Sequence, residues 1–243
     1  MMHDVTIVLP VYNEENKLRK NTLKVLDFCK KNLKQKFIIV ISDNKSTDNT
    51  RKIAEELSKE HKEIKYLYID IKGKGAACKL AWTKYKSKVN LYMDVDLATD
   101  LRALPRLIDE IFKGYDIVVG SRYLKGSNVR RTFLRIILSK GYLFIVHHYM
   151  HTKISDFQCG FKAVNEKVVD KLLPVVKDNQ FFFDTEILIK AERKGFKIKE
   201  IPIKWREGTE TKTKLIGDSL LFLKQLRRLK KELKRERNRK RLS

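Results

Sequence analysis

The chain is short of acidic charge, of cysteine and of long apolar runs. Its 243 residues hold 30 Asp and Glu against 54 Lys and Arg, a formal net charge of +24. That imbalance calls for an anionic partner: nucleic acid, a membrane surface or a phosphorylated small molecule. The three cysteines, Cys29, Cys78 and Cys159, are widely spaced with no CxxC pair, which excludes a disulfide framework and a cysteine zinc site and points to a reducing compartment. Residues 1–9 lack the basic start, apolar core and small-residue cleavage site of a signal peptide, so none is expected. The most apolar stretch, 133–150, is interrupted by Arg135, Lys140, His147 and His148. A spanning helix needs about 20 mostly apolar residues, so no membrane crossing is expected. There is no tandem repeat, no recognisable nucleic-acid module and no basic strand interleaved with aromatics, so nucleic acid is not the expected partner.

Hydrophobic residues nevertheless make up 42% of the chain, enough for a substantial core. Short β-branched runs at 5–9, 37–42, 64–69, 89–93 and 117–120 alternate with helical spacing at 15–33, 47–61, 75–87 and 101–113. This βαβ alternation predicts an α/β fold with a mostly parallel sheet flanked by helices, its ligand cleft beyond the carboxyl ends of the strands. Further on, 132–150 reads as an amphipathic helix, 155–162 as a polar and aromatic loop, 183–194 as a helix and 197–205 as a strand. From 216 onward Phe222, Leu226, Leu229 and Leu233 recur at helical spacing. Residues 224–243 carry 11 Lys or Arg and two Glu, a net +9. The expected organisation is therefore a catalytic-type domain over 1–214 and a basic amphipathic helical extension over 215–243. Each basic residue of such a helix near an anionic lipid surface is worth about 1 kcal/mol.

The chemistry-bearing residues follow the strand ends. Asp94 and Asp96, at positions i and i+2, project to the same side of a strand end. Two carboxylates that close repel, and a hard divalent cation, Mg²⁺ or Mn²⁺, resolves the conflict while bridging to a diphosphate. Alone, this short pattern also fits a solvated turn. The glycine segment Gly73-Lys74-Gly75 opens a helix whose N-terminus suits an anion. His147, His148 and His151 share a helical face, but nothing nearby completes a ligand set, so packing or a membrane-facing position is the preferred reading.

In order, VLPVYNEE (8–15), SDNKSTDNT (42–50), GKGAA (73–77), DVDLAT (94–99), VVGSRY (118–123), SDFQCGFK (155–162) and the run from Phe183 to Trp205 resemble inverting GT-A glycosyltransferases, with their Rossmann-like fold, that act on dolichyl or polyprenyl phosphate. The glucose and mannose synthase branch is the most similar. The resemblance implies that Pro10, Tyr12, Glu14, Asp43, Asn44 and Lys74 form the nucleoside pocket and that Asp94 and Asp96 hold the metal and diphosphate. It places Gln158, Trp205, Arg206 and Lys212 or Lys214 around the nucleotide-sugar. Arg122, Arg130, Arg131 and Lys162 would meet the acceptor phosphate, with Asp96, Arg122, Arg131 and Asp156 as the catalytic group; Asp184 and Glu186 would reach the active site. Some mannose synthases carry a metal-binding Gln where this chain has Ala98, which tilts the donor towards UDP-glucose or a related UDP-sugar and leaves water or Asp100 to complete the metal shell.

An acceptor phosphate is already ionised at neutral pH and needs no strong general base, only orientation and a stabilised leaving diphosphate. The expected partners are thus a nucleotide-sugar, a polyprenyl phosphate and an anionic membrane, met peripherally on the cytoplasmic face of the cell membrane. A GDP-mannose donor, a non-lipid acceptor, and a non-catalytic nucleotide-sugar or nucleic-acid-binding role are the alternatives.

Overall fold

The computed structural model describes residues 3–207 and 215–242. Nine strands are present among them: β1 (Val5–Val11), β2 (Phe37–Asp43), β3 (Ile64–Tyr68), β4 (Val89–Met93), β5 (Ile117–Ser121), β6 (Asn128–Arg130), β7 (Phe161–Asn165), β8 (Ile198–Pro202) and β9 (Lys204–Arg206). The helices are α1 (Leu18–Asn32), α2 (Thr50–Glu60), α3 (Lys74–Lys84), α4 (Leu104–Phe112), α5 (Phe133–Met150), α6 (Glu166–Lys171), α7 (Phe183–Arg193) and α8 (Leu215–Leu242).

Seven strands form one sheet in the order β3-β2-β1-β4-β7-β5-β8, parallel throughout except for β7. The strands bury both faces, as a helix-covered sheet requires. Val8, Val40, Tyr92, Val119 and Val164 face a core shared with α3, α5, α7 and α8, whereas Ile7, Ile39, Leu91, Val118 and Ala163 face α1, α2 and α4. Chain order reverses between β1 and β4, so the crevice opens where their carboxyl ends diverge. Tyr12 follows one end and Asp94 the other.

The antiparallel strand was not foreseen. Because β7 runs backwards, the loop leading into it lies among the carboxyl ends of its neighbours. Met93 pairs with Phe161, and the Asp94 N–H donates to the Gly160 carbonyl at 3.1 Å. The expected single strand over 197–205 is also two: β8 ends at Pro202, and after the buried Ile203 the chain enters a separate parallel pair with β6. Helix α4 starts later than expected, after a 3-10 turn capped by Asp100 and with a proline in its first turn.

The C-terminal helix packs on the sheet domain. Leu226 and Leu229 are buried in the core, with Phe222 and Leu233 packed beside them. The apolar stripe expected to meet a membrane is therefore largely covered by the protein itself. Arg228 and Glu232 of α8 join Lys190 and the fully buried Glu186 in an ion cluster. Burial would raise the Glu186 carboxyl, but hydrogen bonds from Arg228, Lys190 and the Lys177 N–H overcome it and hold the group at about 2. Among the described residues no helix is long and apolar enough to cross a membrane.

Candidate active site

Two cavities adjoin at the carboxyl edge of the sheet. The first, of about 450 Å³, is lined by Pro10, Tyr12, Glu14, Asn44, Lys74, Asp94, Asp96 and Trp205 from the expected set. Gln180 and Phe181 form the wall beside the glycine loop. Sequence gave no signal for them; the loop's close docking explains their position. Gly73 has φ 139°, and a Cβ there would lie 1.9 Å from the Asn179 carbonyl oxygen, so only glycine fits. Asn44 clasps the same loop, donating to the Ile71 carbonyl at 2.8 Å and accepting from the Gly73 N–H at 2.5 Å.

Asp43 does not line this cavity. It is fully buried, accepting from the Ser46 N–H at 3.0 Å and the Tyr66 hydroxyl at 3.2 Å, so it shapes the turn after β2. Arg206 is likewise outside: its side chain is exposed, and its N–H donates to the Ala98 carbonyl at 2.9 Å. Lys212 and Lys214 lie outside the described residues.

The two aspartates differ in their surroundings. Lys74 Nζ sits 2.7 Å from Asp94 Oδ1 and 4.7 Å from the Tyr92 ring centroid. Burial favours neutral Lys74, yet the Asp94 and Asp184 carboxylates win and raise its pKa. Asp96 is open to solvent at the cavity mouth, and its one hydrogen bond among the described residues comes from the Ala98 N–H at 3.0 Å. The surrounding protein and then the Asp94 charge push its carboxyl upward. A carboxylate raised by a like-charged neighbour and left with free lone pairs is chemically suited to a hard divalent cation. Asp100 does not line this cavity; its carboxylate pairs with Arg102 at 2.5 Å. Gly160 keeps the place clear: a Cβ there would lie 1.8 Å from Asp94 Oδ2.

The second cavity, of about 500 Å³, is lined by Arg122, Arg131, Asp156 and Gln158 at a polar end and by residues of α5 and α8, including Ile137, Leu138, Tyr142 and Phe222, elsewhere. Arg122 is held in a fork by Asp156, with Nε to Oδ2 and Nη2 to Oδ1 both at 2.8 Å. Asp156 is only 1% exposed and its carboxyl is lowered, burial being overcome by the Arg122 charge. It therefore orients Arg122. Glu200, not anticipated from sequence, fixes the loop by accepting from the Ser155 and Asp156 N–H groups.

Arg131 has no carboxylate partner among the described residues. It donates to Ser139 Oγ at 2.6 Å, while its buried Nε has no hydrogen-bond partner among the described residues; Gln158 lies against the Tyr142 hydroxyl. Gln158 thus belongs to this second cavity. Arg130 points to solvent and lines neither cavity. Lys162 requires the largest correction. Its side chain is 2% exposed, with Nζ 2.8 Å from Asp184 Oδ1 and bonded to the Phe157 and Cys159 carbonyls, so it cannot meet an acceptor phosphate. Asp184 also accepts from the Tyr92 hydroxyl. Neither Asp184 nor Glu186 reaches the cleft. The three histidines separate too: His147 bonds the Ile154 carbonyl, His148 stacks on Phe144 and His151 ends α5 with a left-handed residue.

A switch-point cleft closed by paired carboxylates beside a phosphate-suited glycine loop defines a GT-A glycosyltransferase. The chain belongs to glycosyl transferase family 2, whose model matches residues 6–173. It is 33% identical over 223 residues to glycosyltransferase AglD of Haloferax volcanii, covering 89% of this chain but only 35% of that protein. It is 31% identical to the dolichyl-phosphate beta-glucosyltransferase of Saccharomyces cerevisiae, covering 91% of this chain and 72% of the relative. The dolichol-phosphate mannosyltransferase of Pyrococcus furiosus is 31% identical, with 93% and 64% covered. Among solved structures, glucosyl-3-phosphoglycerate synthase of Mycobacterium tuberculosis, in complex with Mn²⁺, UDP and glucosyl-3-phosphoglycerate, shares the fold at a TM-score of 0.66 and 16% identity, covering 88% of this chain and 75% of that one.

Proposed function

We propose that this glycosyltransferase moves a hexosyl residue, glucosyl by preference, from a UDP-sugar to a polyprenyl phosphate of the dolichyl type, with inversion at the anomeric carbon. The observation that carries the reading is the second cavity, which is lined by Arg122, by Arg131 with its unpaired buried Nε, and by apolar side chains of α5 and α8. An unsatisfied buried donor costs free energy, and an anion supplies the missing acceptor. A phosphate joined to an isoprenoid chain matches both the cationic and the apolar lining, whereas a glycan acceptor would leave the apolar lining unmatched. The dolichyl-phosphate relatives support the same choice.

In this reading the first cavity takes the donor. Tyr12 offers a half-exposed ring to the base, and Pro10, Glu14 and Asn44 complete the nucleoside side. Asp94 and Asp96 would hold Mg²⁺ or Mn²⁺, which, when bound, neutralises charge on the leaving diphosphate. Lys74 supplies a fixed positive charge at the same end. The phosphate oxygen, oriented by Arg122 and Arg131, attacks the anomeric carbon. The bond from that carbon to the diphosphate oxygen breaks, and its electron pair leaves with the nucleoside diphosphate. No side chain needs to take a proton from an ionised phosphate.

The acceptor tail and the exposed side chains of α5 fit a peripheral position on a membrane. Phe133 and Phe144 are 77% and 71% exposed, and Ile137 is 51% exposed. The basic residues of α8 would meet anionic headgroups on the cytoplasmic leaflet. The experiment is a donor panel on polyprenyl phosphate in anionic vesicles, following label into organic-extractable lipid. UDP-glucose should be at least about tenfold better than GDP-mannose in kcat/KM; the reverse order would overturn the donor assignment. Equal pelleting with neutral and anionic vesicles at low salt would overturn the membrane assignment.

A further inference from the structure

Between the two cavities stands one aromatic ring. Trp205 lines the first cavity, while Arg122 and Arg131, which line the second, place their guanidinium carbons 5.4 and 5.6 Å from its centroid. Both lie within the range of cation–π attraction. Two guanidiniums this close repel, and only Arg122 has a carboxylate, Asp156, within ion-pair distance. The ring is therefore a shared counterweight for two like charges.

The ring is itself fixed from both sides. Strand pairing sets Val129 opposite Trp205 and Arg130 opposite Arg206, directly before Arg131. On the other side Thr99 bridges to Trp205, the Asp100 N–H donates to the Lys204 carbonyl at 3.0 Å and the Arg206 N–H donates to the Ala98 carbonyl. One strand thus ties the segment after Asp96 to the segment before Arg131.

We infer that Trp205 is a positioning residue for the acceptor phosphate: it holds the Arg122 and Arg131 guanidiniums in a single arrangement, so its loss impairs use of the acceptor more than use of the donor, whose cavity it borders. This rests on the acceptor reading above and adds to the expectation that Trp205 serves the nucleotide-sugar, whose cavity it lines. Loss of both cation–π contacts should cost about tenfold or more.

The test compares Trp205→Phe, which keeps a ring, with Trp205→Leu, which keeps apolar bulk without one. Steady-state kinetics vary UDP-glucose and polyprenyl phosphate separately, and thermal unfolding checks that each variant is folded. Trp205→Phe should remain within about threefold of wild type. Trp205→Leu should raise the KM for polyprenyl phosphate about tenfold, and the KM for UDP-glucose several-fold less than that. Equal kinetics for the Leu and Phe variants would show that packing suffices and overturn the inference, as would a rise confined to the donor KM. Those outcomes leave the acceptor reading standing. A wild-type enzyme that transfers nothing to polyprenyl phosphate would overturn the acceptor reading and the inference together.

Discussion

Asp96→Ala should lower transfer by about a thousandfold while leaving the fold intact. Removing a group that stabilises charge developing on a leaving group commonly costs about 3–4 kcal/mol, and about 1.4 kcal/mol is a factor of ten. Asp94 alone would leave a single carboxylate for the metal, with its Oδ1 shared with Lys74 at 2.7 Å. The fold should survive because Asp96 is exposed and gives up a single hydrogen bond, from Ala98. Its removal also relieves repulsion with Asp94. Transfer assays beside thermal unfolding check both halves. Wild-type rates in the variant would remove Asp96 from the site.

The largest loss of stability is expected from Asp184→Ala. The Lys162 and Asp184 side chains are 2% and 5% exposed and 2.8 Å apart. Taking away one partner leaves a buried ammonium facing only carbonyls and the Tyr92 hydroxyl, a change that typically costs about 3–5 kcal/mol. Replacing both, as in Lys162→Met with Asp184→Leu, should recover much of that cost, because no charge is then left unpaired. Urea denaturation of the three proteins measures the difference. A double variant as unstable as Asp184→Ala would mean that the network around Tyr92, and not charge burial, sets the cost.

These two aspartates also mark what the sequence could and could not reveal. Asp94 and Asp96 were legible because a short apolar strand followed by two carboxylates at alternate positions specifies both the element and the side they face. The order of strands and helices was legible for the same periodic reason. Lys162 and Asp184 were not: a lysine ending a polar loop reads as free to meet a phosphate, and its partner is 22 residues away at the start of a helix. Only tertiary packing shows that the two bury each other. Asp43 was misplaced similarly, since its turn and Tyr66 lie on different segments.

Strand β7 escaped because five residues, FKAVN, follow a loop without a break in composition, and antiparallel pairing depends on neighbours remote in sequence. The amphipathic spacing of Phe222, Leu226, Leu229 and Leu233 correctly indicated a helical stripe. Spacing cannot say whether that stripe meets lipid or protein, and here α7 and the core receive it. The choice between Arg130 and Arg131 was open in the sequence, and the structure sets the two apart: Arg130 is exposed, and Arg131 lines the second cavity.

The account turns on the acceptor's phosphate. Labelled UDP-glucose should be incubated with the full chain and a divalent cation in the presence of polyprenyl phosphate or of the matching polyprenol, and the organic-extractable label measured. Label should enter the lipid fraction with polyprenyl phosphate and stay at background with polyprenol, because only the phosphate is both the ionised nucleophile and the partner of Arg131. Equal labelling of the two lipids, or label appearing only in water-soluble product, would contradict the account.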